Sequence, residues 1–125
     1  MARILALDND LMTLATIEGT LREAGHDVLT ATTVRQALAS LLNSGYVDLL
    51  MTELALPHLS GVALIERLRL TAPALPIIVI SAHIPPEARR TRVALTELGV
   101  LHVLGKPFSP TDLLDAVSLV PPEHQ

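Results

Sequence analysis

The chain has no cysteine and no tryptophan, and only one tyrosine (Tyr46) and one phenylalanine (Phe108) among 125 residues. The first absence excludes disulfides and thiolate chemistry and agrees with a reducing compartment. The scarcity of rings excludes a stacking platform for single-stranded nucleic acid. Charge is sparse as well, at 18% of residues with a net of −4, so nothing draws the chain as a whole to phosphate backbones or anionic lipid. Long hydrophobic runs are missing: none approaches the ~18 residues of a membrane span. The opening Met-Ala-Arg-Ile-Leu-Ala-Leu meets Asp8 before a signal-peptide core could form. The expectation is a cytoplasmic protein with no direct nucleic-acid or membrane contact.

What is abundant is aliphatic. Half of the residues are hydrophobic, so the core is made of Leu, Val, Ile and Ala, and the length suits one domain, residues 1–125. The most informative stretch runs from Asp48 to Gly61. Leu49, Leu50 and Met51 form an apolar run without polar alternation, as in a strand covered on both faces, and it ends at Glu53 before a loop carrying Pro57. A carboxylate at the carboxyl end of a buried parallel strand lies where such sheets place their chemistry.

The same grammar repeats along the chain. Ile4 to Leu7 reads as a strand stopping at Asp8-Asn9-Asp10, followed by an amphipathic helix from Leu11 to Ala24 that Gly25 closes. Val28 to Ala31 reads as a second strand, and Thr33 caps a second helix that ends near Asn43 to Gly45. A third helix begins at Ser60 or Gly61, buries Leu64, Ile65 and Leu68, and turns Glu66, Arg67 and Arg69 outward. Pro73 and Pro76 break the chain before Ile77 to Ile80, a strand ending at Ser81. A fourth helix is expected from about Glu87 to Leu98 with Arg89, Arg90 and Arg92 exposed. A short strand His102 to Leu104 leads to Lys106, and a helix capped by Ser109 or Thr111 runs through Val120. Five alternations of strand and helix with short connections require a parallel sheet with helices on both faces.

That architecture gathers Asp8, Asn9 and Asp10, Glu53, Ser81 and Lys106 along one sheet edge. Acids, a hydroxyl and a lysine together are the set that phosphoryl chemistry with Mg²⁺ requires. Here the chain resembles the receiver domain of two-component response regulators. The acidic turn, Asp48-Leu49, Leu56-Pro57 with Gly61, Ser81-Ala82 and Lys106-Pro107-Phe108 carry the likeness over essentially the whole length. The resemblance implies a CheY-like (flavodoxin-like) three-layer α/β/α fold with a five-stranded parallel sheet of order 2-1-3-4-5. It implies phosphoryl transfer from a histidine kinase to an aspartate at position 53, and a histidine kinase, phosphotransfer protein or output domain as partner.

The chain departs from the family where the chemistry sits. The phosphoacceptor position holds Glu53, the second acid of the metal pair is Asn9, and the switch aromatic is Val103. Asp8 and the backbone carbonyl of Ala55 remain as metal ligands, but exchanging an anionic ligand for an amide weakens or abolishes Mg²⁺ binding, and a carboxylate moved out by one methylene is poorly placed for in-line attack. The interval from Ser81 to Gly99 is also about three residues longer than is usual in the family. The reading is a non-enzymatic pseudo-receiver, an interaction module independent of phosphorylation and without a cofactor. Glu53 either mimics the phosphorylated state in part, near Ser81 and Lys106, or belongs to a switchless scaffold in which Lys106 pairs Asp8 and Glu53 as a structural cation.

Two alternatives remain open: a working receiver that phosphorylates Glu53 with Mg²⁺, and, more remotely, a haloacid-dehalogenase-like phosphatase. The second rests on Asp8, Asp10 and Thr13, yet offers only Asp112, Asp115 and Glu123 as later acids. Arg89, Arg90 and Arg92 mark the expected partner surface. Leu113, Leu114, Val117 and Val120 are mostly core, with any spare surface there available to a homodimer. His58, His83 and His102 lack metal-ligand spacing.

Overall fold

The computed structural model describes residues 1–43, 45–82, 84 and 88–121. Strands β1 (Arg3–Leu7), β2 (Asp27–Ala31), β3 (Leu49–Glu53), β4 (Ile77–Ser81) and β5 (Val100–Gly105) alternate with helices α1 (Leu11–Glu23), α2 (Val34–Asn43), α3 (Gly61–Thr71), α4 (Arg89–Glu97) and α5 (Pro110–Val117). All strand pairs are parallel, in the order β2-β1-β3-β4-β5 that the resemblance implies.

Strand alternation divides the core in two. Ile4, Ala6, Met51, Ile78 and Ile80 face one way and pack with Leu14, Ile17 and Leu21 of α1 and Leu113 and Val117 of α5. Leu5, Leu7, Leu50, Ile77 and Val79 face the other way, onto Ala37 of α2, Leu64, Ile65 and Leu68 of α3 and Leu95 of α4. With helices on both faces, β3 and β4 are buried throughout, which is why their sequences carry no alternation. Each buried Leu or Ile contributes about 1.5–3 kcal/mol of transfer free energy.

Local chemistry sets the helix ends. Asp10 caps α1 by accepting from the Met12 N–H, and Gly25 follows with φ +94°, a conformation that a Cβ would strain. Thr33 accepts from the Gln36 N–H at 3.1 Å. Ser109 and Asp112 form a reciprocal capping box at α5. At the opposite edge of the sheet, Ala2 N donates to His26 Nδ1 at 3.0 Å and Arg3 N donates to buried Asp48 at 2.8 Å. Burial, helped by the N-terminal ammonium, holds the His26 imidazole below its ordinary pKa, consistent with an unprotonated Nδ1.

Three expectations need correction, for α5, β5 and Arg69. α5 stops at Val117, because Leu119 and Val120 bond back three residues instead of four and Pro121 follows. β5 is longer than His102 to Leu104: a register shift beside Ile77/Ile78 leaves Leu101 without a partner and lets pairing resume at Val100. α4 begins at Arg89, and the expected start at Glu87 lies outside the described residues, as does part of the lengthened interval after Ser81. Arg69 does not point outward. Its guanidinium turns under the helix end, where Nε donates to Leu98 O at 2.9 Å and Nη1 to Ala72 O at 3.1 Å and to Leu75 O.

Candidate functional site

The strand register brings the polar ends together. Leu7 pairs with Ala31 and Thr52, Glu53 pairs with Ile80, and Ser81 pairs with Gly105, so Asp8, Glu53, Ser81 and Lys106 lie along one edge. The Lys106 N–H extends the ladder by donating to Ser81 O at 2.9 Å.

Lys106 is the only lysine in the chain. Its Nζ donates to Asp8 Oδ2 and to Glu53 Oε1, both at 2.7 Å. The two carboxylates are buried, Asp8 at 1% and Glu53 at 5% exposure. Their other oxygens are used as well: Asp8 Oδ1 accepts from the Asp10 N–H at 2.9 Å, and Glu53 Oε2 accepts from the N–H groups of Leu54 at 2.7 Å and Ala55 at 3.3 Å. The extra methylene of glutamate lets the side chain fold back over its own following loop. Burial pulls the Lys106 pKa down, but the hydrogen bonds and charges of Asp8 and Glu53 outweigh it and hold the ammonium above its ordinary range.

The remaining groups stand apart from this cluster. Asn9 is exposed. Asp10 is exposed and committed to capping, its carboxyl held below the usual range by the Thr13 hydroxyl and the Met12 N–H. Ser81 is buried, but no hydrogen bond joins its hydroxyl to Glu53 or Lys106; with Thr91 it lines a cleft of about 290 Å³. Val103 pairs with Val79 in the sheet and packs on the second core. Ala55 meets Glu53 through its N–H. Of the later acids, Asp112 is used in the α5 capping box and Asp115 is exposed on the same helix.

The Leu54 and Ala55 amides are functional groups that residue-type reasoning misses, since a main-chain donor leaves no mark on the sequence. His58, exposed in the β3–α3 loop with φ +72°, and His102, exposed on β5, belong to no cluster of metal-ligating side chains among the described residues; His83 lies outside them. Among the described residues no group of three or more His, Cys, Asp or Glu is placed to hold a metal ion. Arg89, Arg90 and Arg92 are exposed on α4, and Arg92 Nη2 donates to Ile84 O at 2.7 Å. No helix among the described residues is long and apolar enough to cross a membrane.

The sequence profile of the response regulator receiver domain matches residues 4–118. The chain belongs to that family. It is 32% identical over 111 residues to the alginate biosynthesis transcriptional regulatory protein AlgB of Pseudomonas aeruginosa, covering 89% of this chain and 24% of that protein. It is 31% identical over 117 residues to the transcriptional regulatory protein GlrR of Escherichia coli, covering 93% and 25%. The chain thus spans about a quarter of the length of these curated relatives. Among solved structures, the chemotaxis protein CheY4 of Vibrio cholerae superposes with a TM-score of 0.84 at 27% identity, covering 97% of this chain and 99% of that one. A receiver domain protein of Methanospirillum hungatei gives 0.83 at 26%, covering 94% and 91%. The CheY-like fold and a place among the signal-transduction receivers of two-component systems are therefore established.

Proposed function

We propose that this receiver domain works as an interaction module that does not run the phosphorylation cycle. The observation that carries the reading is the ammonium of Lys106 held 2.7 Å from both Asp8 and Glu53. A divalent cation entering between these carboxylates has to displace a positive charge that is already paired, and the neighbouring donors are a neutral amide, Asn9, and a helix cap, Asp10. The set does not suit Mg²⁺, which needs hard anionic ligands in near-octahedral geometry and gives up its water reluctantly. Glu53, the phosphoacceptor equivalent, has both oxygens engaged and folded toward Leu54, a poor arrangement for in-line attack.

Between the two meanings of Glu53, the bonding favours the switchless scaffold. A phosphoryl mimic would engage Ser81, whereas the carboxylate bonds to Lys106 and the Leu54 and Ala55 amides. Val103 acts as filling for the core. Lys106 is then a structural cation, and the domain communicates through its surface. Arg89, Arg90 and Arg92 on α4 give that surface a basic strip suited to an acidic protein partner, whether a histidine kinase, a phosphotransfer protein or an output domain.

Thermal unfolding with and without Mg²⁺ tests the site. A receiver that bound Mg²⁺ with a Kd of about 1 mM would gain about 1.4 kcal/mol at about 10 mM, a rise in Tm of about 5 °C. This chain is expected to shift by less than about 1 °C under the same conditions. A rise of several degrees that Asp8→Asn abolishes would show a working metal site and revive the phosphoacceptor reading.

A further inference from the structure

The outer face of α3 carries Ala63, Glu66, Arg67 and Leu70, all exposed and all at the three- and four-residue spacing that makes one helical stripe. Leu70 is 80% exposed and gives the stripe its one large apolar side chain. Glu66 and Arg67 are adjacent, opposite in sign, and take part in no ion pair among the described residues. The opposite helix face, Leu64, Ile65 and Leu68, is fully buried, so the exposed stripe is presented on a rigid element.

We infer that this stripe of α3 is a self-association surface whose occupant is α3 of a second copy of the chain. The stripe is self-complementary. A two-fold contact sets the same patch against itself. If two α3 helices cross antiparallel about an axis between Glu66 and Arg67, Glu66 meets Arg67 of the second copy and Arg67 meets Glu66. The same axis brings Ala63 opposite Leu70, small against large, at both ends. Every position on the stripe finds a partner of opposite charge or matching volume, and Ala63 permits the close approach that covers Leu70.

On α4, Arg89, Arg90 and Arg92 outnumber the single acid Glu97, an excess of positive charge that suits an acidic partner better than a second copy. α2, the neighbour of α3, also follows a parallel strand, so its last turn ends at the same end of the molecule and leaves Leu42 exposed there. One helix stripe falls short of the ~800 Å² per partner of a standard stable interface, so the association is weak and reversible, with a Kd on the order of 0.1 mM.

Sedimentation equilibrium of the chain from about 10 μM to about 1 mM should show a concentration-dependent monomer–dimer equilibrium in that range. Glu66→Arg sets like charges against each other twice and should raise the Kd at least about tenfold, and Leu70→Ser should do the same by removing the apolar contact. The double swap Glu66→Arg with Arg67→Glu restores opposite charges across the axis and should return the Kd to within about threefold of the parent. All four positions are exposed, and circular dichroism verifies that each variant is folded. A strictly monomeric chain at every concentration, a dimer indifferent to Glu66→Arg, or a double swap that fails to rescue would each overturn the α3 pairing.

Discussion

Lys106→Met should lower the unfolding free energy by about 3–5 kcal/mol, the largest effect expected of any single polar substitution in this chain. The reason is asymmetry. With the ammonium present, Asp8 and Glu53 share one counter-charge at 2.7 Å each; with it gone, two buried carboxylates face each other uncompensated. The pair need not be highly stabilising compared with an apolar replacement for its disruption to be costly. Urea midpoints at an unchanged m-value measure the loss, and Glu53→Gln added to Lys106→Met should recover part of it by removing one stranded charge.

The same residue fixes a pH dependence. The folded pKa of Lys106 is raised, so between its unfolded and folded values the native state holds more protons than the unfolded chain, and stability falls as pH rises. The contribution is complete below pH ~10.5 and is lost above it, as pH climbs through the folded value. Because no other lysine is present, the alkaline loss that separates the parent from Lys106→Met belongs to this group. An equal alkaline decline in both proteins would show that the ion pairs contribute little.

Arg69→Met carries the second large effect, about 2–3 kcal/mol. The guanidinium serves carbonyls from two places: Ala72 and Leu75 after α3, and Leu98 and Gly99 after α4, the last at 3.5 Å. A cation beneath two helix C-termini also meets the negative ends of both dipoles. Removing it strands several partly buried acceptors at once. Arg69→Lys should recover less than half of the loss, since an ammonium cannot reproduce a planar fork that reaches in three directions. Gly99 belongs to the same arrangement: it has φ +81°, and a Cβ there would lie 3.2 Å from Arg69 Nη2. Full rescue by lysine would reduce the role of Arg69 to charge alone.

Arg69 also shows where sequence reasoning stops. The spacing of Leu64, Ile65 and Leu68 correctly defines the inner face of α3, and by that periodicity Arg69 is placed outside. The carbonyls that draw it inward come from a loop and from a helix end 29 or 30 residues away, and carbonyls are the same in every residue type. The site divides in the same way. That Asp8, Glu53, Ser81 and Lys106 share an edge was legible, because uninterrupted apolar runs identify buried parallel strands and their carboxyl ends must align. The pairing of Lys106 with Asp8 and Glu53 followed from charge. That Glu53 would turn to the Leu54 and Ala55 amides and leave Ser81 alone was not legible, since it depends on the path of a loop containing Pro57 and the positive φ of His58.

Glu53, already engaged by Lys106 and two loop amides, is proposed not to accept a phosphoryl group. Intact mass after incubation with acetyl phosphate and Mg²⁺ tests it most directly, with Glu53→Asp treated in parallel. An unchanged mass is expected for the native chain; an adduct confined to Glu53→Asp would trace the loss to one methylene. A gain of one phosphoryl group on the native protein that disappears in Glu53→Gln would make Glu53 a phosphoacceptor and this domain a phosphorylation switch.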